Sequence, residues 1–237
     1  MDRLNSDQVV SRQMHGSGKA QSLWTVGNVE VLRRPAVGIC GSRDATDAGL
    51  KYAAEFGKIA AEAGFVVVSG YARGVDTAAH IGALEAGGST IAVLPEGIQG
   101  FRIRRQLRNL VTENNLLAVS PFEPGAPWTT WNAMSRNKTI IDLAVALFVI
   151  EAGESGGTLE AGLECLRRGK PLCVLEYKSS STQPAGNKKL LAKAAIAIRT
   201  RRELKQLLTR LQSGDVVHST HHQLRLGDAA ETADHHA

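Results

Sequence analysis

A strand-turn-helix segment, 69–80, holds residues that suit an anion-binding site. Its sequence is Ser-Gly-Tyr-Ala-Arg-Gly-Val-Asp-Thr-Ala-Ala-His, and it follows a short run of β-forming residues. Glycines let backbone N–H groups approach a ligand, the start of a helix adds partial positive charge, and Arg73 supplies a full cation. We therefore predict that this segment contacts a phosphate-bearing ligand through Ser69, Gly70, Arg73 and Gly74.

Two further residues of this segment are predicted to be structural. Asp76 lies at the start of the helix, where a carboxylate accepts hydrogen bonds from free backbone N–H groups. His80 lies four residues later on the same helical face. We interpret His80 as a structural hydrogen-bonding residue in preference to a catalytic one.

Gly41, Ser42 and Arg43 directly follow the first strand of the predicted α/β region. Gly41 permits a tight turn, the Ser42 hydroxyl can donate a hydrogen bond, and the Arg43 guanidinium is a forked cation suited to phosphate. Gly-Ser-Arg is also common in ordinary loops, so this tripeptide indicates a phosphate site only in combination with the other clusters.

Arg136, Asn137 and Lys138 follow Ser135 at the start of a helix that is predicted after a proline-rich loop. Two cations beside an amide suit a backbone phosphate or a flipped base. A solvated helix face is the alternative interpretation of the same residues.

A fourth cluster joins the predicted central strand to a helix and consists of Ser155, Gly156, Gly157 and Thr158. Its glycines and hydroxyl groups can form a second cradle of N–H groups for an anion. Glu160 and Glu164 follow on one helical face. They are either functional carboxylates or surface residues that pair with Arg167 and Arg168.

These clusters need a scaffold that brings them together, and the alternation of predicted strands and helices supplies one. The predicted strands are 36–40, 65–69, 90–94, 116–120, 145–150, 171–175 and 196–198, and the predicted helices are 45–63, 77–86, 103–114, 132–142, 158–168, 188–194 and 201–211. This order predicts a doubly wound, mostly parallel α/β sheet with an extended Rossmann-like fold. Ligands of such sheets bind at the carboxyl ends of the strands, where all four clusters fall.

The organisation of the chain is predicted to be one domain, 23–211, between a flexible N-terminal arm, 1–22, and a disordered C-terminal tail, 212–237. The composition is that of a globular protein, with 43% hydrophobic and 22% charged residues, and the net charge of +5 favours polyanionic partners. The three cysteines lack metal-ligand spacing, and the sequence predicts no metal site and no cofactor. It also lacks an apolar signal segment and a membrane span, which predicts a cytoplasmic protein without a membrane partner.

Two common nucleotide-binding motifs are absent from the sequence. There is no Gly-x4-Gly-Lys-Ser/Thr phosphate loop, and no Gly-x-Gly-x-x-Gly follows the first strand. A P-loop NTPase and a conventional dinucleotide dehydrogenase are therefore excluded.

The combined clusters resemble the DNA-processing protein A family (DprA/Smf), which lies in a broader Rossmann-like superfamily. The resemblance is carried by 23–28, 34–43, 69–80, 90–94, 135–141 and 151–158, continues into 186–187, and ends near Leu211. The segment 69–80 is its most specific part. The run Leu-Pro-Glu-Gly-Ile-Gln-Gly-Phe-Arg at 94–102 departs from the glycine-rich turn and Tyr-Pro that the family usually has there.

This resemblance implies a binding protein, without established catalytic residues, that holds single-stranded DNA. It implies that the protein protects incoming DNA in natural transformation, helps to load the RecA recombinase and forms a homodimer. In this interpretation Arg43, Arg73, Arg136 and Lys138 form the positive pocket. The candidate aromatic residues for base stacking are Tyr71, Phe101, Trp128 and Trp131.

A second resemblance leaves an alternative open. The run Gly-Gly-Thr-Leu-Glu at 156–160 is similar to part of the phosphate motif of the related LOG-type phosphoribohydrolases, although a preceding proline and one glycine are missing and Ala161 replaces a glutamate. In that interpretation the same pocket holds a nucleotide as a sensor site, or Arg136 and Glu160 assist cleavage of the N-glycosidic bond of a nucleoside monophosphate.

Overall fold

The computed structural model describes residues 8–13, 20–178 and 182–215. These residues form a nine-stranded sheet. Its strands are β1 (Gln8–Gln13), β2 (Ala20–Gly27), β3 (Ala36–Cys40), β4 (Val66–Ser69), β5 (Thr90–Val93), β6 (Leu116–Ser120), β7 (Leu147–Val149), β8 (Leu172–Leu175) and β9 (Ile196–Ile198). The α-helices are α1 (Asp47–Glu62), α2 (Val75–Glu85), α3 (Thr130–Ser135), α4 (Asn137–Leu143), α5 (Gly157–Arg167), α6 (Ala185–Leu191) and α7 (Arg201–Ser213).

The strand order is β1-β2-β6-β5-β4-β3-β7-β8-β9. Strands β3 to β9 are parallel to their neighbours, whereas β2 pairs antiparallel with β6 and β1 pairs antiparallel with β2. The chain moves outward from β3 to β6 and then returns to place β7 on the other side of β3. The predicted doubly wound, mostly parallel fold is confirmed, and its strand order reverses between β3 and β7.

Helices cover both faces of the sheet. One core joins the sheet to α4, α5 and α6 through residues such as Ile140, Leu159 and Leu190. The other joins it to α1, α2 and α7 through residues such as Phe56 and Leu207. Strands β3 to β8 are buried along their whole length, as expected for parallel strands covered on both sides.

Helices α1 and α2 pack against each other at glycines. A Cβ atom built at Gly57 of α1 would overlap the carbonyl oxygen of Ala79, and one at Gly82 of α2 would overlap the carbonyl oxygen of Ala54. The two backbones therefore touch directly. Small residues of α1, Ala54 and Gly57, make this close contact possible.

We expect Gly82→Ala to lower the free energy of unfolding by about 2 kcal/mol, because overpacking outweighs the helix propensity that alanine gains. Urea denaturation measures the change. Lys51→Ala, at an exposed position of α1, is the control and should change the free energy by less than about 0.5 kcal/mol. Equal stability of Gly82→Ala and the native protein would contradict this packing.

The structure differs from the predicted helices in two places. The predicted helix 103–114 is only a 3-10 turn, Arg105–Leu107. Asn115 donates to the carbonyl of Leu110 and accepts from the N–H of Thr112, and such bonds favour turns over helices. The predicted helix 132–142 is divided into α3 and α4 at Arg136, whose carbonyl accepts from Thr139 three residues later.

The ends of the chain also differ from the predicted elements. Strand β1 and the first residues of β2 lie in the range 1–22 that we predicted as a flexible arm, and the two strands pair along Gln8–Gln13. Helix α6 begins at Ala185, where the sequence predicted a loop to residue 187, because Pro184 is compatible with the start of a helix. Residues 216–237 of the predicted tail lie outside the described residues.

Candidate nucleic-acid interface

A cavity of about 440 Å³ lies where the strand order reverses, at the carboxyl ends of β3 and β7. We call it the switch-point cavity. Residues from the predicted clusters line it, namely Gly41, Ser42, Arg43, Arg136, Asn137, Ser155, Gly156, Gly157 and Thr158. The fold thus brings together segments that lie up to about 120 residues apart in the sequence, as expected for the edge of a doubly wound sheet.

A second cavity, of about 510 Å³, adjoins the first on the side of β5. We call it the outer cavity. Among its lining residues are four predicted site residues, Arg43, Gly70, Arg73 and Arg136. Arg43, Ala72, Trp128 and Arg136 line both cavities, so the two form one continuous cleft.

Arg136 is the central cation of this cleft. It lies between α3 and α4 and is 5% exposed. Its guanidinium occupies the space that Gly70 leaves empty, because a Cβ atom at Gly70 would overlap Nη1. The nearest carboxylate oxygen is Oδ2 of Asp76, 4.0 Å from Nη2, and Nε is buried without a hydrogen-bond partner among the described residues. A buried guanidinium with so few partners is suited to an anionic ligand.

Burial has the largest effect on the pKa values of Asp76 and Arg136. It raises the pKa of Asp76, while Arg136 and the N–H of Ala72 lower it in part. Burial likewise lowers the pKa of Arg136, and Asp76 opposes that shift. An arginine stays charged in proteins, so burial leaves a cation whose charge Asp76 compensates only partly. The N–H of Ala72 donates to Asp76 Oδ2 at 3.2 Å, so Asp76 holds the turn before α2 as well as facing Arg136.

Arg43 and Arg73 are the exposed cations of the cleft. Arg73 donates to Asp44 at 2.6 Å, with 66% of its side chain exposed, and the Arg43 guanidinium lies 5.8 Å from the centre of the Trp128 ring. Their two loops touch, because Gly74, at φ +79°, leaves no room for a Cβ atom beside the carbonyls of Ser42 and Arg43. Arg73 therefore has a carboxylate partner that a phosphate would have to displace.

The loop before α5 holds the residues of the predicted cradle, 155–158. Gly156 has φ +103°, a conformation that favours glycine, and it precedes the first residue of the helix. The Asn137 side chain donates to the carbonyl of Gly157 at 3.1 Å, which links this loop to α4. The N–H groups at the start of α5 thus border the same cavity as Arg136.

Four of the candidate residues, Ser69, Lys138, Glu160 and Glu164, line neither cavity of the cleft. Ser69 is fully buried and donates to the carbonyl of Ile39 at 2.6 Å, which is a structural role. Lys138 and Glu160 line a third cavity, of about 370 Å³, which shares Met134 and Asn137 with the switch-point cavity. Glu164 pairs with Arg167 at 3.0 Å and with Arg168 at 2.7 Å, which is the ion-pair alternative that the sequence left open.

His80 has a structural hydrogen bond. Its Nδ1 lies 2.5 Å from Oγ1 of Thr90, and the same Oγ1 lies 2.7 Å from the carbonyl oxygen of Val67. With the hydroxyl proton of Thr90 donated to that carbonyl, Nδ1 carries the imidazole proton. Burial, together with Arg104 and Arg136, lowers the pKa of His80 to about 3. The imidazole is therefore neutral at physiological pH.

The candidate aromatic residues differ in how accessible they are. Tyr71 is buried and packs against His80 and Phe101, and the Arg104 guanidinium covers its ring at 5.0 Å. Trp128 is 51% exposed and lines both cavities. Trp131 is 72% exposed and lines the cavity of Lys138. Trp128 is thus the aromatic residue best placed for a ligand in the cleft.

Glu96, Arg102 and Arg104 line the outer cavity, although no sequence motif indicated them as site residues. Arg104 also donates to the carbonyl of Tyr71 at 2.7 Å and so fixes the turn before α2. Their position after β5 was a usable signal, because it is the same sheet edge that located the other clusters.

Within 8–13, 20–178 and 182–215, no group of three or more His, Cys, Asp or Glu side chains could hold a metal ion. In the same residues no helix is long and apolar enough to cross a membrane. The histidines of the tail lie outside the described residues.

Fold and site together define a Rossmann-like α/β protein with a cationic cleft at its topological switch point. Residues 10–211 match the family model of the DNA recombination-mediator protein A, and the chain belongs to this family. Among curated proteins it is similar to the DNA processing protein DprA of Streptococcus pneumoniae, with 33% identity over 155 residues, which cover 65% of this chain and 54% of that protein. The chain spans about half the length of the curated relatives that it matches.

Two solved structures support the fold. The X-ray structure of DprA from Streptococcus pneumoniae matches 77% of this chain and 65% of its own, with 28% identity and a TM-score of 0.69. DNA processing protein A from Helicobacter pylori, described for its single-stranded DNA binding mode, matches 90% of this chain and 99% of its own, with 22% identity and a TM-score of 0.76. At that identity the second match concerns the fold alone.

Proposed function

We propose that this protein binds single-stranded DNA along the cleft formed by the switch-point and outer cavities. The observation that carries the proposal is the buried Arg136 guanidinium, which faces the cleft with its charge only partly compensated. Arg43 and Arg73 extend the positive charge toward solvent. This arrangement suits the phosphates of a strand. The similarity of the chain to a DNA processing protein, and to a protein described for its single-stranded DNA binding mode, supports the same ligand class.

The length of the cleft favours an oligonucleotide over a mononucleotide. Arg136 borders two adjoining cavities of about 440 and 510 Å³, so phosphates on both sides of one nucleotide have room beside it. Trp128 borders both cavities and offers an exposed ring to a base. Stacking tolerates any base, so this part of the interface is expected to bind with little sequence preference.

A fluorescence-anisotropy titration with a labelled single-stranded oligonucleotide over a salt series tests this function. We expect binding that weakens steeply with salt and that a mononucleotide competes for only weakly. Failure to bind the oligonucleotide at low salt, with clear affinity for a mononucleotide, would overturn the proposal in favour of a nucleotide site.

We expect Arg43→Gln to reduce the slope of log affinity against log salt by about 0.7, the value for one phosphate contact in single strands. The affinity itself should fall on the order of fivefold, since the side chain is exposed and its charge is screened. Arg105→Gln makes the same change of charge at an exposed residue that lines neither cavity, and its slope should be native-like. An equal change in both variants would mean that only net charge matters.

The biological role that we propose is protection of incoming DNA and loading of the RecA recombinase, by a homodimer in the cytoplasm. Membership of the recombination-mediator family supports this role. Strand exchange by RecA on DNA coated with single-strand-binding protein tests it directly. Stimulation by this protein, lost in Arg136→Gln, is expected, and analytical ultracentrifugation tests the dimer.

A nucleotide-binding sensor is the second candidate, because the switch-point cavity combines Arg136 with the N–H groups at the start of α5. A phosphoribohydrolase activity at this site has less support than nucleotide binding, since Arg136 and Glu160 line different cavities. Release of free base from a nucleoside monophosphate, abolished by Glu160→Ala, would favour hydrolysis over binding.

A further inference from the structure

Glu96 is the carboxylate among the cations that line the outer cavity. It lies directly after β5, in the loop that precedes Arg102 and Arg104. Its carboxylate has no ion pair within 4 Å in the described part of the chain, and its Oε2 is buried there without a hydrogen-bond partner. Burial raises the pKa of Glu96, and the charges of Arg136 and Arg104 lower it in part, so the carboxylate offsets some of the positive charge of the cleft. Because a negative group here also opposes phosphate binding, the carboxylate is suited to another part of the ligand.

The fold does not need the Glu96 carboxylate to hold this loop. Ser120 donates to the backbone carbonyl of Glu96 at 2.7 Å, and the N–H of Gly97 donates to the carbonyl of Ala126 at 2.8 Å. Gly97 also packs against the carbonyls of Glu123 and Pro124 so closely that a Cβ atom would overlap them. The backbone is thus fixed by other groups, and it presents the side chain to the cavity.

The remaining walls of the outer cavity suit a nucleobase. Phe101 and Pro95 provide apolar surface beside Glu96, and Trp128 lies on the same cavity. A flat, largely apolar ring system can pack against such walls, while its polar edge needs hydrogen-bonding partners. A carboxylate accepts hydrogen bonds and donates none when it is ionised, so it selects an edge that carries donors.

We propose that Glu96 reads a guanine base of the bound strand, accepting hydrogen bonds from N1–H and N2–H₂ after its carboxylate, whose Oε2 is buried in the unliganded protein, turns toward the cavity. Among the four DNA bases, guanine presents two adjacent donors on its Watson–Crick edge. Adenine and cytosine place an acceptor nitrogen beside the amino group, and thymine has one N–H between two carbonyl oxygens. A carboxylate therefore pairs with guanine and meets at least one acceptor on each of the other bases.

This inference rests on the proposed function and adds a base preference to it. Arg136, Arg43 and Arg73 would hold the backbone without regard to sequence, and Glu96 would favour strands that place a guanine in the outer cavity. The contribution of one bidentate pair predicts about a tenfold preference for guanine at that position.

Anisotropy titrations with a thymidine oligonucleotide and with the same oligonucleotide carrying one central guanosine test the inference. The native protein should bind the guanosine strand about tenfold more tightly. In Glu96→Gln this ratio should fall to about one, while the affinity for the thymidine strand rises about twofold because a negative charge leaves the cavity. If Glu96 has only a structural role, Glu96→Gln should instead lower the affinities for both strands.

Glu123→Gln is the matched control, since it removes the same charge from an exposed residue of a neighbouring loop that does not line the cavity. It should keep the native ratio. Equal binding of both strands by the native protein, or a ratio that survives in Glu96→Gln, would overturn the base preference and leave DNA binding intact. If neither strand binds, DNA binding and the base preference both fail.

Discussion

Arg136→Gln is expected to weaken binding of single-stranded DNA by about 100-fold, because it removes charge-assisted hydrogen bonds at the centre of the cleft. The same substitution should lower the free energy of unfolding by about 3 kcal/mol, since Asp76 would remain buried without its cation. Anisotropy at fixed salt measures the first effect and urea denaturation the second.

A double variant separates these two effects. Asp76→Asn combined with Arg136→Gln removes both buried charges, and we expect it to regain most of the stability while binding stays weak. Arg105→Gln again controls for net charge. Native-like affinity in Arg136→Gln, at a temperature where the protein is folded, would refute the placement of phosphate at this guanidinium.

Gly70→Ala is expected to weaken DNA binding about tenfold without changing any charge. The new methyl group would occupy the position of the Arg136 guanidinium, which must then move away from the cleft. We also expect a loss of about 2 kcal/mol in the free energy of unfolding from overpacking. Anisotropy and urea denaturation measure the two changes.

Gly100→Ala is the matched control for this prediction. Gly100 lines the same cavity, but a Cβ atom there has open space around it. Combining Gly70→Ala with Arg136→Gln should weaken binding little more than Arg136→Gln alone, because both changes remove the same contact. Additive losses would show that Gly70 acts through another group.

The sheet and the location of the cleft could be predicted from the sequence because both depend on local patterns. Buried parallel strands are short apolar runs, and polar residues after those runs collect at one edge whatever the details of packing. Residues 41–43 and 155–158 therefore fall on the cleft as predicted, although their contact with a ligand stays a prediction.

The direction of individual side chains could not be predicted in this way. Lys138 lies two residues after Arg136, yet it faces another cavity, because a helix turns neighbouring positions to different sides. The partner of Arg73 is Asp44, from a loop 29 residues away, and no local pattern indicates that pair. Arg104 was not predicted because residues 103–114 were predicted to form a helix, and Glu96 was not predicted because its segment, 94–102, departs from the turn that the family usually has there.

The glycine contact between α1 and α2 has a consequence for the entropy of binding. Arg43 lies just before α1 and Arg73 just before α2, and the two loops also bond directly, since the N–H of Val75 donates to the carbonyl of Ser42. Because the helix backbones touch at Gly57 and Gly82, neither helix can slide without the other. The backbone positions that carry the two cations are therefore fixed before a strand binds. The conformational entropy of these two loops is lost during folding, so binding of the strand does not have to order them.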